Sequence, residues 1–195
     1  LRDLEIRGAG NLLGAEQSGH IAAVGYEMYC QLLDLAVQDL RDGKSPLRKD
    51  TMVGLGVAGR LPRVYISSEP RRLALYRRLA EAADLTTLKG VLRDLKTAYG
   101  ELPSSARVLI QYHELRIAAT HIGIESILFQ EADVVLRTCD PLLLEELLKG
   151  VDASVRRVGQ RLSSGAIAVF VRPAIGVSHP EQILVLLRDA IVGCK

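Results

Sequence analysis

Apolar residues recur along this chain with the period of helices in some stretches and of strands in others. Glycine and proline mark the changeovers. Residues 1–20 lack helical periodicity and carry Gly8, Gly10, Gly14 and Gly19. Over about 21–42, Met28, Tyr29, Leu32, Leu33, Ala36 and Leu40 form an apolar seam opposite Glu27, Gln31, Asp34, Gln38 and Arg41. That spacing predicts an amphipathic helix. Asp42-Gly43 ends it, and residues 44–50, with Pro46, read as a polar linker. Residues 52–57 alternate with glycine and predict one weak strand.

Beyond Pro62 the punctuation is regular. Pro70, after Ser67, Ser68 and Glu69, opens a helix to about Ala82 with Leu73, Tyr76, Leu79 and Ala80 inward. A helix over about 85–98 turns Leu88, Val91, Leu92 and Leu95 inward and stops at Gly100. Pro103 opens a third, to about Ile122, with Gly123 as a left-handed cap. The period then falls to two. Residues 124–129 and 134–137 predict a hairpin around Glu131-Ala132-Asp133. Asp140-Pro141 starts a short helix that Gly150 closes, and 154–162 and 166–172 form a second hairpin across 163–165. Pro180 opens a last helix, apolar at Ile183, Leu184, Val185, Leu186, Leu187, Ala190, Ile191 and Val192. This order predicts an α+β chain: an N-terminal helical hairpin with a Gly-rich turn, a linker, then helices packed on a small antiparallel sheet of hairpins. The linker divides it into residues 1–48 and 49–195.

Composition narrows the chemistry. Of 195 residues, 48% are hydrophobic and 25% charged, enough for a core and too apolar for a disordered chain. Aromatics make up only 4%, with no Trp, while Leu occurs 32 times. That disfavours single-strand nucleic-acid binding on stacking platforms. The net charge of +2 excludes a basic wrap-around surface. The basic excess gathers in the middle third, in Arg71, Arg72, Arg77 and Arg78. Its plain reading is a solvated helix face; its functional reading is a docking surface for an acidic partner, carried by Arg71, Arg72 and Arg78. Cys30, Cys139 and Cys194 show neither zinc spacing nor a disulfide framework, and read as small buried hydrophobes. His20, His113, His121 and His179 form no ligand cluster with them, so no metal is expected. The charged start, Arg2, Asp3, Glu5 and Arg7, does not suit a signal peptide, and no apolar run is long enough for a membrane span. The expected compartment is a reducing cytoplasm.

Catalytic signatures are missing from the sequence. There is no phosphate-cradling loop followed by Lys-Ser/Thr, no nucleophile elbow and no His-Glu-x-x-His. Glu145-Glu146 beside Leu147 and Leu148 reads as a solvated helix face. Gly8-Ala9-Gly10-Asn11-Leu12-Leu13-Gly14 imitates a dinucleotide fingerprint. That fingerprint needs a buried apolar strand before it, and Leu1-Arg2-Asp3-Leu4-Glu5-Ile6 is charged at intervals instead.

The fuller pattern, Arg7-Gly8-x-Gly10-x-x-x-Gly14-x-x-Gln17-Ser18-Gly19, resembles the translocation motif shared by bacterial transcription-repair coupling factors (Mfd) and the branch-migration helicase RecG. Asp3-Leu4-Glu5-Ile6, Val24-Gly25-Tyr26 and Tyr29 are more similar to the coupling factors. So are Leu61-Pro62, Tyr65-Ile66, Arg72-Leu73-x-Leu75-Tyr76-Arg77-Arg78-Leu79-Ala80 and Tyr99-Gly100-x-Leu102-Pro103, which look like the start of their C-terminal domain. The resemblance runs to about residue 125. Arg63-Val64 departs from it, since the family tends to be acidic before the Tyr-Ile pair.

The resemblance implies the C-terminal part of an ATP-dependent double-stranded DNA translocase that removes stalled RNA polymerase and recruits the excision-repair protein UvrA. ATP and Mg would belong to motor motifs upstream of Leu1, leaving this chain without catalytic residues or a cofactor of its own. By the same resemblance, Arg7, Gly8, Gly10, Gly14, Gln17, Ser18 and Gly19 couple the motor to DNA. Residues 49–195 would regulate it by folding onto the N-terminal repair module and motor lobes. In physical terms, the glycines permit sharp turns, Arg7 offers a rigid donor fork, and Gln17 both donates and accepts. A RecG-like tail and a stand-alone interaction scaffold, with or without a nucleotide cofactor, are the alternatives.

Overall fold

The computed structural model describes residues 50–161, 165–174, 176–177 and 179–193, all within the unit Gly43–Lys195. The glycine-rich motif from Arg7 to Gly19 that resembles a translocation motif, the helix expected over 21–42, Cys30 and Cys194 lie outside the described residues.

The helices begin where the side chains supply a start. Pro70 occupies the first turn of α1 (Glu69–Glu81), where its missing N–H is no loss, and Glu69 suits the positive end of the helix dipole. Asp84 caps α2 (Leu85–Tyr99): its carboxylate accepts from the Thr87 amide and hydroxyl, both at 2.8 Å. Those bonds, the amide first, hold the Asp84 carboxyl below its ordinary pKa. Leu88, Val91 and Leu95 face inward along α2, which ends at Gly100 with φ 81°. Helix α3 (Ser104–His121) has eleven buried residues distributed around its circumference. A helix covered on all sides belongs in the interior, and α3 contacts α1, α2, α5 (Pro180–Val192), β1 and β2. Gly123, with φ 76°, follows α3 as the expected left-handed residue.

The strands form one five-stranded sheet in the order β1-β2-β3-β5-β4: β1 Met52–Gly54, β2 Ile124–Gln130, β3 Asp133–Thr138, β4 Ala153–Arg161 and β5 Ile167–Pro173. Both expected hairpins are present, and β3 pairs antiparallel with β5 to join them. The β2–β3 turn passes through Glu131 in the left-handed region, φ 56°. Two details of the sheet differ from the sequence reading. β1 is only three residues long, and it runs parallel to β2 rather than antiparallel, so the sheet is mixed. Parallel neighbours need a long crossover, which α1, α2 and α3 provide. The short helix α4 (Pro141–Leu147) starts at Asp140, whose carboxylate accepts from the Leu143 amide at 3.0 Å. It ends at Leu148 rather than running to Gly150.

The core lies between α3, α5 and the sheet. Leu109, Leu115, Ile127, Leu136, Val169, Val171, Ile183, Leu184 and Leu187 are buried. Two polar groups accompany them. His113 is buried, and desolvation, helped by the nearby Arg116 charge, lowers its pKa to about 3, so the imidazole is neutral at physiological pH. Arg116 donates to the Ala80 and Ala82 carbonyls at 3.1 and 3.0 Å and to the Asp50 carboxylate at 2.7 Å.

One glycine is fixed by space. A Cβ on Gly59 would stand 2.8 Å from the Leu109 Cα and N, which belong to the buried helix and cannot retreat. Gly90, inside α2, has open space around that position. Gly59→Ala should therefore cost about 1–3 kcal/mol of stability, while Gly90→Ala should add about 0.5–1 kcal/mol through helix propensity. Urea unfolding of the two variants checks both signs.

Candidate docking surface

Helix α1 places Arg71, Ala74, Leu75 and Arg78 on one face, at the i, i+3, i+4, i+7 spacing. Asp94, Leu95, Ala98 and Tyr99 of α2 face them across an open groove of about 250 Å³. Arg78 Nη2 meets Asp94 Oδ2 at 2.6 Å, with about half of each side chain exposed. A second hollow, about 370 Å³, lies on the far side of that pair, between Arg78, Glu81, Thr87, Gly90, Val91, Arg93 and Asp94. The ion pair is thus a partition between two shallow depressions. Exposed pairs of this kind contribute little, about 0–1 kcal/mol, so a competing carboxylate can displace Asp94 from Arg78 at small cost.

The three arginines expected to act together do different things. Arg71 is exposed at the groove and forms no ion pair among the described residues. Arg78 is held by Asp94. Arg72 turns to the preceding loop, where Nη1 donates to the Ile66 and Ser67 carbonyls at 2.7 and 3.1 Å. The groove ends at Tyr99, whose ring lies 5.8 Å from that of Tyr65. The Tyr65 hydroxyl donates to the Gly100 carbonyl at 3.0 Å. Burial first, then Glu101 and Tyr99, raise its pKa, so the phenol keeps its proton. Loop, α1 and α2 therefore form one fixed surface.

Other polar residues fall into smaller roles. Glu146 is exposed beside Lys149, and Glu145 meets Arg157 Nε at 3.3 Å, an ion-paired helix face rather than an acid–base pair. His121 Nε2 lies 3.1 Å from the Ala83 carbonyl. Cys139 corrects the expectation of a buried thiol. It is exposed at the end of β3, with Sγ 3.9 Å from a Glu125 carboxylate oxygen. No cluster of His, Cys, Asp and Glu among the described residues could hold a metal ion. No described helix is long and apolar enough to cross a membrane.

One constellation escaped the sequence reading. Arg172 grips Asp133 with both ends of its fork, at 2.7 and 3.0 Å, and Arg156 reaches the same carboxylate at 3.1 Å. The Arg172 hydrogen bond is the main reason the Asp133 carboxyl sits below its ordinary pKa. Arg156 also lies 6.0 Å from the Phe170 ring centroid. These residues come from β3, β4 and β5, and pairing across nonconsecutive strands leaves no local spacing to detect.

Comparison with known proteins bears on residues 55–141, which match the family described as TRCF domain and span the groove and its loop. The transcription-repair-coupling factor of Mycobacterium tuberculosis is 39% identical over 146 residues, covering 69% of this chain and 12% of that protein. That of Escherichia coli is 38% identical over 130 residues, covering 64% and 11%. The chain thus spans about one-eighth of the length of these relatives. The crystal structure of a C-terminal domain of transcription-repair coupling factor superposes with a TM-score of 0.55 at 10% identity, covering 75% of this chain and 96% of that one. That likeness is one of fold.

The separate roles of the arginines are testable. Arg72→Ala removes a charged donor from two carbonyls and should lower stability by about 1–2 kcal/mol. Arg71→Ala touches no such contact and should stay within about 0.5 kcal/mol. Equal losses for the two in chemical denaturation would contradict this division of labour.

Proposed function

Residues 55–141 form a TRCF domain, and through it the chain belongs with the transcription-repair-coupling factors; from that premise we propose that it is the C-terminal part of an ATP-driven double-stranded DNA translocase. The longer polypeptide removes stalled RNA polymerase and recruits UvrA, in the cytoplasm. Residues 49–195 act in it as a regulatory clamp rather than as part of the motor. The observation that carries this reading is the coincidence of the family match with an exposed, internally braced basic surface on α1.

The physical character of that surface suits regulation. A clamp must open, so its contacts must be individually weak and its frame stiff. The frame is braced by Arg72 and Tyr65, while Arg71 and Arg78 present charge at an open groove. Their partners are acidic groups on the N-terminal repair module and motor lobes, and docking there covers the surface that UvrA needs. Such contacts are sensitive to salt. ATP and Mg act in the motor, outside these residues. Within residues 1–48, Arg7 and Gln17 link the motor's movement to DNA, with Gly8, Gly10, Gly14, Ser18 and Gly19 shaping the turn.

Two experiments test the halves of this reading. Removing residues 51–195 from the longer polypeptide should raise its affinity for UvrA and its unstimulated translocation, and Arg71→Glu with Arg78→Glu should do so more weakly. If UvrA titrations and motor assays are unchanged by the deletion, the clamp is wrong. Arg7→Ala and Gln17→Ala should each abolish displacement of polymerase or of a triplex strand, with ATP hydrolysis reduced less. Normal displacement by either variant would remove the motor-coupling role.

A further inference from the structure

Arg116 and the carboxylate it faces are unequal partners. The Arg116 side chain is 9% exposed, that of Asp50 60%. Nη1 meets Asp50 Oδ2 at 2.7 Å, and Nη2 donates to the Ala80 and Ala82 carbonyls at 3.1 and 3.0 Å. Nε is buried and has no partner among the described residues. Among those residues Asp50 is also the only carboxylate within ion-pair reach of Arg116. It is the last residue of the linker that the sequence marks over 44–50, and it belongs to no helix or strand. The very next residue is fixed. Thr51 is buried, its amide donates to Thr120 Oγ1 at 3.0 Å, and its hydroxyl donates to the Ile124 carbonyl at 2.6 Å. Val53 and Leu55 beyond it are buried as well. The chain therefore passes from exposed to anchored between residues 50 and 51.

We infer that Asp50 and Arg116 form a releasable latch, through which the position of the linker is reported to the C-terminal end of α1. Arg116 cannot follow a moving partner, because it is buried and Nη2 is held by α1. Asp50 can leave, because it is exposed and the anchorage begins only at Thr51. Its withdrawal leaves a buried charge with no carboxylate and, at Nε, no acceptor. Removing one partner of such a pair costs more than the pair itself contributes, because the remaining charge stays desolvated. His113, one turn earlier on α3 and buried, supplies no negative charge there. The guanidinium is then relieved by turning toward water, which takes Nη2 away from Ala80 and Ala82. Those carbonyls close the helix that carries Arg71 and Arg78. Opening the latch thus loosens the end of the docking surface while β1 stays attached through Thr51. The latch is a property of this domain alone; its part in control rests on the regulatory reading above.

The test is amide hydrogen exchange followed by peptide mass. In the 195-residue chain, Asp50→Asn should speed exchange over residues 78–84 about tenfold and leave β4 and β5 unchanged. Asp50→Glu, which keeps the charge, should restore most of the protection. An equal increase throughout the domain would reduce the pair to a general stabiliser, and no increase at 78–84 would reduce it to a surface contact; either result overturns the latch. In the longer polypeptide, ATP, ADP and no nucleotide are compared. Exchange over 78–84 should be slow in one state and about tenfold faster in another, and Asp50→Asn should be fast in all three. Should that variant fail to fold, the unsubstituted polypeptide decides alone. The same rate in every nucleotide state overturns the inference. If that result comes with raised UvrA affinity on deleting residues 51–195, the latch is lost and the regulatory reading stands.

Discussion

The described fold depends on what surrounds α3, and most sharply on Arg116. A guanidinium with only 8% of its residue surface exposed is costly unless its donors are met. Here the two terminal nitrogens are met, Nη2 by carbonyls at the end of α1, Ala80 and Ala82, and Nη1 by the carboxylate of Asp50, while the buried Nε has no partner among the described residues. The negative end of a helix suits a cation, so one side chain fixes where α1 stops and where the linker enters. The neighbouring hydroxyls extend the same brace. The Thr51 amide donates to Thr120 Oγ1 at 3.0 Å, Thr120 donates back to the Arg116 carbonyl at 2.8 Å, and Thr51 Oγ1 donates to the Ile124 carbonyl at 2.6 Å. A three-residue edge strand is marginal alone. β1 begins at Met52, the residue after this anchored threonine.

The same charge helps explain the neutral His113. An imidazolium buried beside a committed guanidinium would carry both a desolvation cost and a repulsion, and the proton is given up instead. Sequence reading saw His113 only as a histidine outside any ligand cluster, and did not single out Arg116. Arg116 has no local signature, because its partners stand 34 to 66 positions away along the chain.

Elsewhere the division between legible and illegible follows the range of the interaction. Pro70, Gly100, Asp140 and Pro180 act within one helical turn, and each marks a helix end that the structure contains. Hairpins are similarly local, since a turn and two period-two runs lie side by side. The parallel pairing of β1 is not local, because three helices separate it from β2. Arg72 illustrates the same limit on the docking surface. Its place beside Arg71 made it look like part of a charged edge, yet successive residues on a helix point about 100° apart. That rotation sends Arg72 to the loop and leaves Arg71 at the groove. Gly59 gave no sign of its role because the atoms that exclude a side chain belong to Leu109, fifty residues on.

The proposed regulatory role sets two opposed demands, and the distribution of polar contacts reconciles them. Its shape must survive repeated docking and release, which calls for interactions that are buried or well directed. Its outer contacts must stay weak enough to reverse. The Arg116 brace and the Arg72 clasp belong to the first group, being charge-assisted bonds to backbone carbonyls that no partner can easily compete for. The Arg78–Asp94 pair belongs to the second, being half exposed and open to exchange with another carboxylate. Because Arg72 joins the loop to the same helix that presents Arg71 and Arg78, a force on the loop reaches the groove through one rigid turn rather than through a flexible hinge. Rigidity of that kind lets small contacts at separate points reinforce one another, since engaging the first positions the second without a further entropic cost.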